Sequence, residues 1–191
     1  MPDKPIATGW LPRDASSQAM VRQMQMLVEN AYVDPSVRTK ATEIVRFSTP
    51  RDYITAARRI RQFLSDHIRF LRDPDGRELS FTPQLMLKTI RDYEVANVDC
   101  DDAAVLAASL GRSIGLRARF ILLGFISPTN PLAHVYTELA GPGENAPWVE
   151  QDVTRSQREI PFTLISRRVI VPARVETRPT FGQRLFANLA R

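Results

Sequence analysis

Three residues of this chain have the types and the order that thiol-based catalysis needs. The only cysteine is Cys100, one of the two histidines is His134, and Asp152 follows later in the chain. A thiol can attack a carbonyl carbon, an imidazole can accept the thiol proton, and a carboxylate can orient the imidazole. If the three side chains meet in space, the sequence predicts a cysteine acyl-transfer site. If they do not, Cys100 is a small buried side chain without a catalytic role.

Cys100 lies where a loop is expected to become a helix. The helix predicted over residues 101–114 is rich in small side chains, and Gly115 stands at the position of a left-handed helix end. Small side chains let another element approach closely, so we expect this helix to be central. A helix N-terminus supplies partial positive charge and backbone N–H groups, which favour a thiolate.

Three aspartates, Asp99, Asp101 and Asp102, surround the cysteine. Their charges oppose thiolate formation, although one of them could cap the helix. An imidazolium partner would therefore have to dominate the field at the thiol, which makes His134 important. Hard carboxylates beside one soft thiolate match no preferred metal-ligand set, so we expect no metal and no other cofactor.

The second half of the chain predicts an antiparallel sheet, with strands over 117–125, 133–140, 147–152 and 168–171. Alternation along the second strand places His134 on one face with Tyr136 and Glu138. If the second and third strands form a hairpin with its midpoint near residue 143, residue 134 lies opposite residue 152. That register would place the carboxylate of Asp152 beside the imidazole.

The first half predicts helices with recognisable start signals. One covers about residues 15–31 behind Asp14, and another runs from Thr49-Pro50 to about residue 66. Shorter helices start at Asp34-Pro35 and Thr82-Pro83, and in all three of these later helices a capping side chain precedes proline. Helices followed by one central helix against an antiparallel sheet make an α+β layout. We divide the chain into an irregular arm (1–13), a single domain (14–172) and a basic tail (173–191).

Charge is unevenly distributed along the 191 residues. Residues 1–154 carry 18 Lys and Arg against 19 Asp and Glu, whereas residues 155–191 carry eight Arg against two Glu. The basic end is either a docking segment for an acidic protein surface or a phosphate backbone, or a solvated tail. The start of the chain does not read as a signal peptide, and no apolar run approaches membrane-spanning length. We therefore expect synthesis in the cytoplasm and no membrane partner.

The residues around the three candidates carry a family resemblance. The runs Asp99-Cys100-Asp101-Asp102, His134-Val135-Tyr136 and Trp148 to Thr154 together resemble the transglutaminase-like superfamily, over about residues 50–172. The resemblance implies a papain-like fold in which Cys100 is the nucleophile, His134 the base and Asp152 the orienting carboxylate. It also implies an oxyanion donor at the backbone N–H of Cys100 and a second donor on a side chain, for which Asn97 is a candidate.

One position departs from the family pattern. The family usually has glycine two positions before the cysteine, and this chain has Val98. A β-branched residue tolerates positive φ poorly, so we expect the backbone approaching the thiol to differ here.

Two functions follow from the resemblance. The first is a thiol-dependent amide hydrolase, of the cysteine peptidase type, acting on a peptide or protein substrate. The turn Asp73-Pro74-Asp75-Gly76 also looks like that of members found in bacteriophage genomes. The alternative is therefore a non-catalytic structural or assembly protein of a phage particle. Such a protein would be incorporated into the virion and would bind virion proteins or nucleic acid through its arm and basic tail.

Overall fold

The fold is known from a computed structural model that describes residues 9–12, 17–73, 77–125, 132–155 and 165–174. Its elements in chain order are β1 (Gly9–Pro12), α1 (Ser17–Ala31), α2 (Pro35–Val45), α3 (Tyr53–His67), β2 (Ile68–Phe70), β3 (Arg77–Ser80), α4 (Pro83–Tyr93), β4 (Ala96–Val98), α5 (Cys100–Ser113), β5 (Arg117–Phe125), β6 (Leu132–Ala140), β7 (Val149–Glu150) and β8 (Ile165–Pro172). The predicted α+β class is confirmed. None of the helices within the described residues is long and apolar enough to cross a membrane.

Side-chain caps start two of the helices as the sequence predicted. The Asp34 carboxylate accepts a hydrogen bond from the backbone N–H of Ser36 at the start of α2, at 2.8 Å. The Thr82 hydroxyl accepts one from the N–H of Leu85 at the start of α4, at 3.3 Å. In both helices proline takes the first turn, where its missing N–H costs nothing.

The start of α3 was predicted wrongly. Asp52, and not Thr49, caps this helix, because its carboxylate accepts from the N–H of Thr55 at 3.0 Å. The chain first closes a turn in which Asp52 N–H donates to the Thr49 carbonyl, and Arg51 takes a positive φ of 67°. A helix cannot begin until that left-handed residue has been passed.

Helix α5 is the centre of the molecule. Its residues from Ala103 to Leu110 are all buried, so the helix has no solvent face over this stretch. One side packs into a cluster with α2, α3 and α4, and the other side packs against α1, β5 and β6. Gly115, with a φ of 86°, follows the helix at the left-handed position that the sequence predicted.

The main sheet is antiparallel and has the strand order β7-β6-β5-β8. One face of β5 and β6 contacts α5 through side chains such as Phe120, Leu122 and Val135. The other face carries a small cluster of Ile121, Leu123 and Tyr136. The predicted fourth strand is longer than expected, and it pairs antiparallel with the edge of β5 opposite β6.

Two short strand pairs lie outside this sheet. Residues Gly9–Pro12 pair antiparallel with Arg77–Ser80, and Ile68–Phe70 pairs parallel with Ala96–Val98. The prediction of irregular structure for the arm is therefore wrong for Gly9–Pro12. These strands are stabilised by partners far away in the chain, which local sequence patterns do not reveal. Asp14, the Pro74–Gly76 part of the predicted turn, and residues 175–191 of the predicted tail lie outside the described residues.

The close approach of α5 and β6 yields a test of the fold. A Cβ atom added at Gly111 would lie 2.9 Å from Leu139 Cδ1 and closer still to its Cδ2. We expect Gly111→Ala to lower the free energy of unfolding by about 1–3 kcal/mol from overpacking, despite the better helix propensity of alanine. Urea denaturation measures the change.

Gly143→Ala is the matched control, because nothing lies within 4 Å of its added Cβ. We expect that variant to unfold like the parent protein. A second substitution, Leu139→Ala, should make room for the methyl group, so it should cost less in the Gly111→Ala protein than in the parent. Equal stability of Gly111→Ala and the parent would contradict the described packing.

Candidate active site

Cys100 is the first residue of α5, as the sequence predicted. Asp99 caps the helix from an extended backbone conformation, and its carboxylate accepts from the N–H of Asp102 at 3.4 Å. The Cys100 side chain is partly buried and packs against the cluster that contains Val135. The first backbone N–H groups of a helix have no intrahelical partner, so this end of α5 can interact with an anion.

The acidic residues beside the cysteine have structural roles. The carboxylate oxygens of Asp99, Asp101 and Asp102 lie within 4.8 Å of one another, and Asp102 Oδ1 accepts from the backbone N–H of Phe81 at 2.7 Å. These contacts join the start of α5 to the segment that precedes α4. The expectation that the protein uses no metal stays a prediction.

His134 and Asp152 form a buried hydrogen-bonded pair. The imidazole Nε2–H donates to Asp152 Oδ2 at 2.8 Å, and the exposed fractions of the two side chains are 0% and 1%. With Nε2 as the donor, the neutral ring carries its lone pair on Nδ1. Nδ1 is buried and has no hydrogen-bond partner among the described residues. The pair therefore presents one nitrogen that is able to accept a proton.

The position of His134 at the start of β6 is irregular. The pairing of β5 with β6 shifts register between Leu123 and Gly124, so that Leu123 lies opposite His134 and Gly124 opposite Leu132. A bulge of this kind re-aims the side chains next to it and is frequent beside functional sites. The regular pairing therefore fails between Leu132 and His134, whereas from His134 to Ala140 the strand keeps the alternation that the sequence predicted.

The hairpin register was predicted two residues away from its true position. Glu138 lies opposite Glu150 and Leu139 opposite Val149, which would set residue 152 opposite residue 136 instead of 134. Strand β7 is also shorter than predicted, because it ends at Glu150. One further hydrogen bond follows it, from the Gln151 N–H to the Thr137 carbonyl at 2.9 Å. Asp152 nevertheless reaches His134, since it bends across to a diagonal neighbour.

Asp152 is held from several directions. Its Oδ1 accepts from the backbone N–H groups of Thr154 at 3.3 Å and Arg155 at 3.1 Å, and the Arg155 Nε lies 3.4 Å from Oδ2. Burial alone would raise the pKa of Asp152, but the hydrogen bond and charge of His134, together with Arg155, outweigh it and lower the pKa below the usual value. Asp152 is therefore a carboxylate at neutral pH.

Neighbouring side chains shield the pair. The ring of Tyr136 lies 6.2 Å from that of His134, and the guanidinium of Arg155 lies 6.0 Å from the Tyr136 ring. Burial raises the pKa of Tyr136, so the phenol stays neutral. Sequence reasoning missed Arg155, which was counted with the basic C-terminal residues. Its spacing of three positions from Asp152 was the available signal.

The remaining predicted residues lie just before the cysteine. Asn97 and Val98 belong to β4, and Asn97 pairs with Arg69 of β2. Val98 is buried in the core within this extended strand, which explains how a β-branched residue is accepted where the family pattern has glycine. The oxyanion role of Asn97 stays a prediction.

The cysteine and the histidine lie at the same end of two adjacent elements. The Thr137 hydroxyl donates to the Ala104 carbonyl at 2.7 Å, and Leu139 packs against Gly111 further along. The two elements therefore progress in the same direction. Followed back to their starts, they lead to Cys100 on α5 and to Val135, next to His134, on β6, and Cys100 packs against the apolar cluster that contains Val135.

The charge state of Asp152 yields a test of the pair. Because the pKa of Asp152 is lowered in the folded protein, its carboxylate stabilises the fold at pH values above the ordinary pKa of 3.8. This contribution is lost as the pH falls through the lower pKa of the folded state. We expect Asp152→Asn to lose about 1–3 kcal/mol of unfolding free energy at pH 7, and the difference from the parent to shrink below about pH 4. Urea denaturation across this pH range measures it.

Asp92→Asn serves as the control, because Asp92 lies on α4 and interacts with Lys88 and Arg91 at the surface. We expect no resolvable loss from this change, since exposed pairs contribute little. A difference between Asp152→Asn and the parent that stays constant at every pH would contradict the assignment.

One of three comparisons with known proteins gave a match. Comparison with curated proteins and with solved structures gave no match. The family model of the transglutaminase-like superfamily matches residues 38–153, a segment that begins in α2 and ends directly after Asp152. The match covers more than half of the chain and includes the start of α5 and the buried pair, and on this basis the chain belongs to the transglutaminase-like superfamily.

Proposed function

We propose that this protein is a thiol-dependent amide hydrolase in which Cys100 is the nucleophile, His134 the general base and Asp152 the residue that orients the base. Family membership supports the broad class of cysteine peptidase or acyl transferase. The observation that carries the finer proposal is the state of His134, whose Nε2 is bonded to Asp152 while the buried Nδ1 has no partner among the described residues.

The physical argument concerns the free energy of a buried polar atom. A buried nitrogen left without a hydrogen bond costs about 1–3 kcal/mol. Such groups are rare in folded proteins and are frequent where a catalytic group waits for its reaction partner. The Cys100 thiol, at the adjacent helix start, is a donor that suits this nitrogen.

The proposed reaction has two halves. Nδ1 of His134 takes the proton from the Cys100 thiol, and Sγ attacks the amide carbonyl carbon to form a C–S bond and a tetrahedral oxyanion. Backbone N–H at the start of α5 stabilises the oxyanion, with the Asn97 side chain as the candidate second donor. The imidazolium then protonates the leaving amine as the C–N bond breaks, and a thioester remains.

Hydrolysis of the thioester completes the cycle. His134 removes a proton from water, the resulting hydroxide attacks the thioester carbonyl, and the C–S bond breaks to release a carboxylic acid. The thiolate of Cys100 leaves and recovers its proton from His134. Water is the acceptor we propose, because an amine acceptor would require a site that excludes water. The substrate class is a peptide or a protein.

The alternative, a phage-particle assembly protein that keeps this fold as a scaffold, is not favoured by any contact among the described residues. Its proposed binding elements are largely the arm and the tail, which mostly fall outside them. The two functions differ in one measurable property, the reactivity of the single thiol.

Alkylation of Cys100 by iodoacetamide tests the proposal directly, because the chain contains no other cysteine. An ordinary thiol has a pKa near 8.5 and reacts slowly at pH 6. We expect Cys100 to react about 10- to 100-fold faster at pH 6 than a thiol in an unfolded peptide, since a neighbouring imidazolium stabilises its thiolate. Mass spectrometry measures the rate.

His134→Ala should abolish this excess reactivity, and His67→Ala should not. His67 is the matched control because it is the only other histidine. It lies at the end of α3, and its ring is hydrogen-bonded to the Glu94 carbonyl. Alkylation that is slow at pH 6 and unchanged by His134→Ala would refute the hydrolase and favour the assembly protein.

A further inference from the structure

Arg155 is a buried cation that shares a carboxylate with His134. Its Nε lies 3.4 Å from Asp152 Oδ2, the same oxygen that accepts the hydrogen bond from His134 Nε2. Its Nη2 lies 3.2 Å from Glu150 Oε1, and only 9% of the Arg155 side chain is exposed. Arg155 was grouped with the basic C-terminal segment by its position in the sequence, but it lies beside the buried pair of His134 and Asp152.

Two groups that can carry positive charge, the Arg155 guanidinium and the His134 ring, contact the same carboxylate of Asp152. Arginine stays protonated at every pH a protein survives, whereas histidine gains and loses its proton near neutrality. The fixed positive charge of Arg155, which lies beside Asp152, reduces the stabilisation that this carboxylate offers to a protonated imidazole. Glu150 offsets part of the Arg155 charge, but its side chain is one third exposed, so solvent weakens that effect.

We propose that Arg155 is a positioning residue that holds Asp152 and limits how strongly this carboxylate stabilises the protonated form of His134. The inference rests on the hydrolase proposed above, where His134 must both accept the thiol proton and release a proton to the leaving amine. A carboxylate that bound the imidazolium too tightly would slow the release step.

Other charged groups around β6 are already engaged. Glu138, on the same strand, is paired with Arg119 of β5 and Arg168 of β8, each at 2.6 Å. Further charged or titratable groups on elements packed against β6 include Tyr136 on the strand itself, Tyr53 of α3 near Gly141, Arg117 of β5, Arg112 of α5, and the run Asp99 to Asp102 at the start of α5. Among the described residues, Asp152 is the hydrogen-bond partner of the His134 ring, so the charge of this carboxylate acts on that ring directly.

The small number of histidines makes the effect measurable by NMR. Nitrogen-15 labelling of the histidine rings gives signals from His67 and His134 only, and His67→Gln identifies those of His134. The quantity measured is the pH midpoint at which the His134 ring signals shift. We expect Arg155→Met to raise this midpoint by about one pH unit, because the competing cation is gone. Arg155→Lys, which keeps the charge, should restore most of the original value.

Lys88→Met is the matched control, since it makes the same change in net charge at an exposed pair with Asp92 on α4. We expect this control to leave the His134 midpoint unchanged. If Arg155→Met does not fold, Arg155→Gln removes the charge while its amide can still bond to Glu150, and the same upward shift is expected. A midpoint that stays the same or falls in the folded neutral variant overturns the inference.

The outcomes separate this inference from the proposed function. The titration does not use the thiol, so the upward shift should also occur in Cys100→Ser protein. An unreactive Cys100 together with the shift would remove the hydrolase but leave the electrostatic role of Arg155 standing. A reactive Cys100 without the shift would remove only the role of Arg155.

Discussion

The close contact between α5 and β6 is the constraint on which the rest of this structure depends. Gly111 leaves no room for a side chain beneath Leu139, and the Thr137 hydroxyl is bonded to the Ala104 carbonyl of the helix. Because the helix is surrounded by α1 to α4 on its other sides, it cannot move away from the strand without opening both apolar clusters. The starts of the two elements are thereby kept at one end of the domain, where Cys100 and the His134 strand begin.

The electrostatics of that end are unusual for a thiol site. Aspartates flank the cysteine, and two of them are buried where they cap the helix or bond to the Phe81 N–H. Arg155 adds a buried positive charge through its contact with Asp152. A buried carboxylate shared between an arginine and an imidazole keeps its own charge, because its pKa is lowered below the ordinary value. We regard this balance as the feature that distinguishes the site from a simple isolated triad.

Much of the fold could be predicted from local patterns, because local patterns report local physics. Asp34-Pro35 and Thr82-Pro83 start helices since a short polar side chain followed by proline satisfies the first turn. Gly115 ends α5 since its positive φ is costly for other residues. The prediction for the start of α3 was wrong because Thr49-Pro50 has the same pattern of a capping side chain followed by proline. Only the turn through Arg51 shows that Asp52 is the cap. The strands β1 to β4 were missed because each depends on a distant partner.

The candidate site divides in the same way. The sequence by itself determined which residues could carry thiol chemistry, that Cys100 starts a helix, and that a hairpin connects the strands of His134 and Asp152, because residue type and hairpin connection are local properties. Only the tertiary structure decided the register of that hairpin, the bulge beside His134, the satisfied oxygens of Asp152 and the burial of Arg155. The reason is physical: a two-residue shift in a hairpin and the burial of a charge both depend on what the rest of the chain packs around them.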